Sequence, residues 1–266
     1  MDPQLQTPAK EVPLSYRDTE EREEEAKGGK TSRVQGYITV CGSVCVMLFT
    51  GNFYLWGNIS DYVVSYFHYA QGSHTGDRHA TLSAAAIVIP LSLVALSVGN
   101  IIGAQLLNIM HVKLILLIGS VISLGAIFAA TFMHNWWVFV VLYAFVFPFG
   151  AGLFYSLPMI CGWEWFPERR GFISGLIFGS FGFASFIFGY VSAALVNKEN
   201  VLPKVPDDGT GDKDLLYPEW IARRVPHMLR VCLICWGSFC IIALLTLTRN
   251  PEYQKKDKDR MKIIND

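Results

Sequence analysis

Hydrophobic and polar positions along this chain fall into long blocks, not a short alternation. Six long apolar stretches, Val34–Ile59, Leu82–Leu107, Val112–Phe132, Trp136–Cys161, Phe172–Val196 and Met228–Leu247, are separated by short charged segments. A helix needs about 20 apolar residues to cross the hydrocarbon core of a bilayer. In the last five stretches no acid or base falls in the central part. Backbone groups in lipid must be satisfied within the segment, which a helix does and a loop does not. A transmembrane barrel would need short alternating segments. The pattern therefore predicts an all-α, polytopic membrane protein with six transmembrane helices, and the lipid bilayer as its first partner.

Composition agrees with this. Of the 266 residues 52% are hydrophobic, 14% aromatic and 17% charged, where a soluble domain carries about a quarter charged residues. The formal net charge of +0 gives no bulk attraction to nucleic acid, and no nucleic-acid partner is expected. Residues 1–33, with RDTEEREEEAKGGK, are acidic and poor in aromatics, and read as a disordered tail. The first apolar run is too long for the core of a cleavable signal peptide.

Basic residues near helix ends set orientation. Lys27, Lys30 and Arg33 precede the first span, Lys113 lies between the second and third, Arg169 and Arg170 between the fourth and fifth, and Arg249, Lys255, Lys256, Lys258, Arg260 and Lys262 follow the sixth. All fall on one side if both termini are cytoplasmic, which makes 1–33 and 248–266 cytoplasmic tails. The 197–226 loop mixes bases with acids and is assigned to the other side. Its second part, YPEWIARRVPHMLR, reads as a short amphipathic lead-in to the sixth span. Trp136 and Trp137 opening the fourth span, and Trp163 and Trp165 closing it, are placed as interfacial aromatics.

Six cysteines lie in or beside apolar spans. Cys232 and Cys235 form a CxxC without a second pair or a histidine nearby, which favours small buried residues over a metal or redox site. His68, His74 and His79 share a loop that lacks a rigid frame for a metal. No metal and no cofactor is expected. Asp61 and Glu164 are the intramembrane acids; both lie near span ends, where solvation by interfacial water is the plainer reading. There is no P-loop, no dinucleotide fingerprint and no nucleophile elbow, so an enzyme is not expected.

The densest signal is FPFGAGLFYSLPMICGWEWFPERRGFISGLIFGSFGFASFIFG, across the fourth and fifth spans. Gly150, Gly152, Tyr155 and Pro158 describe a helix with small faces, one phenol and a kink. Trp165, Phe166, Pro167, Arg169 and Arg170 form a turn whose arginines can meet anionic headgroups or acidic partners. Gly171, Gly175 and Gly179 recur every four residues, with Gly182 and Gly189 continuing the stripe, a spacing that lets two helices approach closely. Packing is the plain reading of that stripe, and packing between moving helices is what a transporter needs.

This stretch resembles the major facilitator superfamily, in its oxalate/formate antiporter-like and monocarboxylate-porter branch. The matching residues are Gly150, Gly152, Tyr155, Pro158, Trp165, Phe166, Pro167, Arg170, Gly171 and Gly175, supported by GNFYLWGNISDYVVSYF at the end of the first span with Tyr54 and Trp56. In the superfamily's loop between the second and third helices this chain has GAQLLNIMHVK, in which Gly103 and Lys113 match but Leu107, Asn108 and Met110 replace the charged and glycine positions. The charge-assisted latch of that loop is therefore expected to be weak or absent. The resemblance covers about residues 34–254, one of the two six-helix halves that surround a midplane site in such transporters. The 248–266 tail is similar to an inter-half linker.

The resemblance implies transport of a small mono- or dicarboxylate by alternating access, with a second six-helix half as partner, either a carboxy-terminal half or another chain. A carboxylate in a membrane needs hydrogen-bond donors or a cation. The cavity candidates are Tyr54, Trp56, Asn58, Asn100, Gln105 and Tyr155, with Asn52 and Tyr62 as further donors. Gly103, Pro158, Gly171, Gly175 and Gly179 are the packing or gating candidates. The alternatives are a non-transporting six-helix protein that scaffolds or regulates a full-length relative, with the Gly171, Gly175 and Gly179 face as its interaction surface, and a transporter built from two identical chains.

Overall fold

The computed structural model describes residues 33–69, 80–205 and 214–253. The tail expected to be disordered, the histidines His74 and His79, the middle of the 197–226 loop and most of the 248–266 tail lie outside the described residues. Among the described residues six helices are long and apolar enough to cross a membrane: α1 Arg33–Tyr69, α2 Leu82–Leu106, α3 Val112–Ala130, α4 Trp136–Trp165, α5 Pro167–Val196 and α6 Glu219–Thr246. The protein is an integral, multi-pass membrane protein.

The helices begin where local chemistry can satisfy their first amides. The Thr81 hydroxyl accepts from Ala84 N at 3.1 Å, and the Asp214 carboxylate from Leu82 N at 2.9 Å, so a residue from the α5–α6 loop helps cap α2. Asn135 Oδ1 accepts from Trp137 and Val138 at the start of α4. Pro167 opens α5, and Pro226 lies in the first turn of Val225–Thr246, the main part of α6 after a break at Arg223 and Arg224; neither position needs an amide. α1 continues one sequence block further than hydropathy implies, to Tyr69, through a 3₁₀ turn at Gly51–Leu55.

α4 is irregular at two places, each just before a proline. Pro148 follows a π turn at Val141–Val146, and Pro158 follows a break in which Leu157 N turns back to Phe154 O at 3.1 Å. A proline cannot donate to the carbonyl four residues earlier, so the turn before it re-pairs or opens. Neighbouring hydroxyls supply further bonds: Ser123 of α3 donates to Phe147 O at 2.9 Å, and Ser43 of α1 reaches Pro158 O at 3.3 Å. The kink expected at Pro158 is thus present and tied to α1.

α4 packs chiefly on α2 and α3, α1 on α5, and α3 on α6. The α2–α4 contact depends on glycine. A Cβ at Gly99 would overlap the Phe149 carbonyl, at Gly103 the Leu153 carbonyl, and at Gly152 the Leu96 carbonyl. Gly119 of α3 meets Gly150 in the same way. Two aromatic clusters fill the interior: Phe49, Phe147, Phe188 and Trp236, with Trp236 stacked on Phe147 at 6.0 Å, and Trp56, Phe67, Trp136, Phe139 and Tyr143 toward the other end. Trp136, expected at the interface, is fully buried; its neighbour Trp137 is exposed.

The two described parts of the α5–α6 connection lie against each other, and the second lies against α1. Lys204 and Leu216 exchange two backbone bonds, Tyr217 N donates to Ser65 Oγ at 2.9 Å, and the Tyr217 ring packs on Tyr62 at 4.4 Å. Arg224 binds Glu199 and the Val196 carbonyl, closing the end of α5 onto the start of α6. The Arg224 guanidinium holds the exposed Glu199 carboxyl below its ordinary value.

Candidate functional site

α1 and α4 are the most enclosed helices and α5 the least. One face, built from α1, α2, α4 and α5, gathers most of the polar side chains that the sequence marked. Tyr54 and Tyr155 both pack edge-on against Phe181, at 5.7 and 5.6 Å between ring centroids. Phe181 lies halfway along α5, so this contact is at mid-membrane depth. Beside Tyr155, the Ser156 hydroxyl donates to Asn100 Oδ1 at 2.6 Å. One turn beyond Tyr54, Asn58 reaches the Ser185 carbonyl at 3.5 Å and lies against Gly189.

A continuous band therefore runs Asn100, Ser156, Tyr155, Phe181, Tyr54, Asn58. Tyr54 is 41% exposed, and Asn58 is exposed. Among the described residues neither the Tyr54 nor the Tyr155 hydroxyl has a hydrogen-bond partner, and the Asn100 amide nitrogen has none. Polar groups left open to hydrocarbon are costly, and membrane proteins keep them where they face protein or water. The band offers three uncommitted donors and an aromatic floor, a set suited to a small planar anion.

Two cavity candidates fall elsewhere. Trp56 is only 2% exposed; its Nε1 donates to Ala85 O at 3.0 Å and its ring packs on Tyr143 at 5.2 Å, so it is a core residue. It lies two positions from Tyr54, which on a helix turns it about 200° away. Gln105 is exposed near the far end of α2, away from the band. Of the further donors, Asn52 is buried and bonds back to Leu48 O and Phe49 O, and Tyr62 is occupied by Tyr217.

The α5 glycines also depart from the packing reading. Nothing lies within 4 Å of a Cβ at Gly171, Gly175, Gly179 or Gly182. That stripe has no neighbour in the bundle, whereas Gly103 does make the close approach expected of it. Ser156, Phe181 and Gly99 were not singled out by sequence. For Gly99 the signal was there: GNIIG places it four residues before Gly103, the small-xxx-small spacing.

Glu164 is buried. It is an ion-pair partner, not a solvated end group. Both Arg249 Nε, at 2.8 Å, and Arg249 Nη2 bind Glu164 Oε1, while Asn250 N reaches Oε2 at 3.1 Å. The adjacent Trp165 Nε1 donates to Thr248 O at 2.8 Å, and Thr248 Oγ1 meets Thr39 and Gln35 of α1. The segment after α6 is thereby clamped to the ends of α4 and α1.

No family model matches the chain. It is similar over 242 residues, at 28% identity, to apicoplast pyruvate carrier 1 of Toxoplasma gondii. The matched stretch is 78% of this chain and 44% of that carrier, so the chain spans less than half the length of the relative it matches.

Proposed function

We propose that this six-helix bundle is one half of a transporter for small carboxylates. The observation that carries the reading is the mid-membrane band of uncommitted donors, Tyr54, Tyr155 and Asn100, on a face that the bundle leaves open. The similarity to a pyruvate carrier supports a monocarboxylate as substrate, and pyruvate is the first to test. The band lacks a cation, so the charge that completes the site comes from a second six-helix body. The sequence features shared with the major facilitator superfamily favour that architecture, with two halves rocking about the band in alternating access and both termini cytoplasmic. Tyr54→Phe with Tyr155→Phe removes two donors to a charged ligand and is expected to lower pyruvate uptake into proteoliposomes by at least roughly tenfold. Unchanged uptake would remove the band from the substrate path.

The open Gly171, Gly175 and Gly179 stripe is the surface we assign to the second body. Gly175→Trp places a bulky side chain on it from an exposed position where nothing lies within 4 Å of a Cβ. It is expected to abolish uptake while leaving the folded bundle intact, and wild-type uptake would mean that this face meets only lipid. A specific outcome favours the two-identical-chains reading: a disulfide-linked dimer formed by Gly175→Cys in a Cys41→Ser background would identify the second body as another copy.

A further inference from the structure

At the end of the bundle that carries Arg33, Arg169, Arg170 and Arg249, away from the polar band, lies a cavity of about 330 Å³ lined by Arg33, Tyr37, Trp165, Phe166, Pro167, Glu168, Arg169 and Asn250. Its size is within the range of small-ligand pockets. Arg33 opens α1, and Arg169 closes the 3₁₀ turn Pro167–Arg169 with which α5 begins. Among the described residues neither guanidinium makes an ion pair or hydrogen bond, whereas Arg223, Arg224 and Arg249 are all paired with carboxylates.

The walls are held in place by the rest of the fold. Tyr37 packs on Phe166 at 5.1 Å, and Phe166 lies against Gly36. Trp165 is fixed by its bond to Thr248 O, and Asn250 by its two bonds to Glu164. A pocket with two uncommitted guanidiniums, aromatic walls and a position at the membrane end of the bundle selects an anion that also has apolar parts. The lining sets Arg33 and Arg169 against Glu168, a surplus of one positive charge. One charge matches a phosphodiester better than a phosphate dianion.

We propose that this cavity is a binding site for a phosphate-bearing anion, with a phospholipid headgroup and a soluble phosphate as the two sources of that chemistry. Arginine suits it because its planar fork can bind two phosphate oxygens at once. The proposal is independent of the transport reading, because the cavity shares no residue with the polar band.

The test is native mass spectrometry of the protein purified in detergent and titrated with phosphatidylglycerol. A retained lipid adduct is expected. Arg33→Gln and Arg169→Gln should each weaken it about tenfold, and Lys113→Gln, a charge removed at the same end but outside the cavity, should leave it unchanged. Both arginines are exposed and make no hydrogen bond or ion pair among the described residues, so the variants are expected to keep the fold; melting temperature checks this. Displacement of the lipid by millimolar inorganic phosphate would assign the site to the soluble source, and persistence would assign it to the headgroup. An adduct equally strong in the double arginine variant would overturn the proposal. So would an adduct that appears only after Glu20, Glu21, Glu23, Glu24 and Glu25 are changed to Gln, since the occupant would then be the chain's own acidic segment.

Discussion

Gly103→Ala is expected to prevent a stable α2–α4 pair. The added methyl would lie inside the contact distance of the Leu153 carbonyl oxygen, with the Leu153 carbonyl carbon and Cα close behind it. These are backbone atoms of a helix, so no rotamer change relieves the overlap. Forcing a methyl into a packed core ordinarily costs about 1–3 kcal/mol, and backbone pressed on backbone belongs at or above the upper limit. The consequence extends beyond local packing, because α4 carries Tyr155 and Ser156 while α2 carries Asn100; pushing the two helices apart breaks the bond that joins them. Thermal unfolding in detergent measures the effect. Gly125→Ala on α3 is the control, since nothing lies within 4 Å of a Cβ there. Melting of Gly103→Ala at the wild-type temperature would refute the close approach.

Glu164→Ala is the second substitution with a large expected effect. It leaves the Arg249 guanidinium, whose side chain is 16% exposed, without its carboxylate, and it frees Asn250 N and its flanking segment. Removing one partner of a buried ion pair typically costs about 3–5 kcal/mol, while removing both costs much less. The double variant Glu164→Ala with Arg249→Ala is therefore expected to be more stable than Glu164→Ala alone, and a double-mutant cycle on unfolding midpoints gives the coupling. Strict additivity would show that the two groups act independently. The clamp stands at the same end as the loop GAQLLNIMHVK, where sequence pointed to a weak latch. That end is fastened instead through the residues after α6.

Helix number and identity were legible because a bilayer leaves the backbone little choice. A long apolar run with no charge in its centre must be helical, whatever surrounds it. The break at Pro158 was legible for the same kind of reason, since the missing amide is a property of the residue itself. Side-chain direction was not. Tyr54 and Trp56 read alike as aromatic donors at the end of the first span, yet one borders the polar band and the other donates into the core at Ala85. The bounds of the first span ended too early at Ile59, because SDYVVSYFHY is mixed in hydropathy; its inner face is buried against the returning Tyr217 segment.

Six crossing helices, a basic end, the proline break at Pro158 in α4 and the set of polar residues available for a site follow from the order of residues alone; the π turn before Pro148 does not. The former follow from local chemistry, either the backbone's need for hydrogen bonds or the transfer cost of a charge. Which of these residues meet depends on how the helices are arranged in space. The glycines of GNIIG in α2 and of GFISGLIFG in α5 have the same spacing, but Gly103 meets a carbonyl of α4 while Gly175 meets nothing. Glu164 and Arg249, 85 residues apart, become a buried pair because the ends of α4 and α6 are neighbours. Spacing in sequence fixes which residues share a helical face, but what that face touches depends on how the other helices are arranged around it.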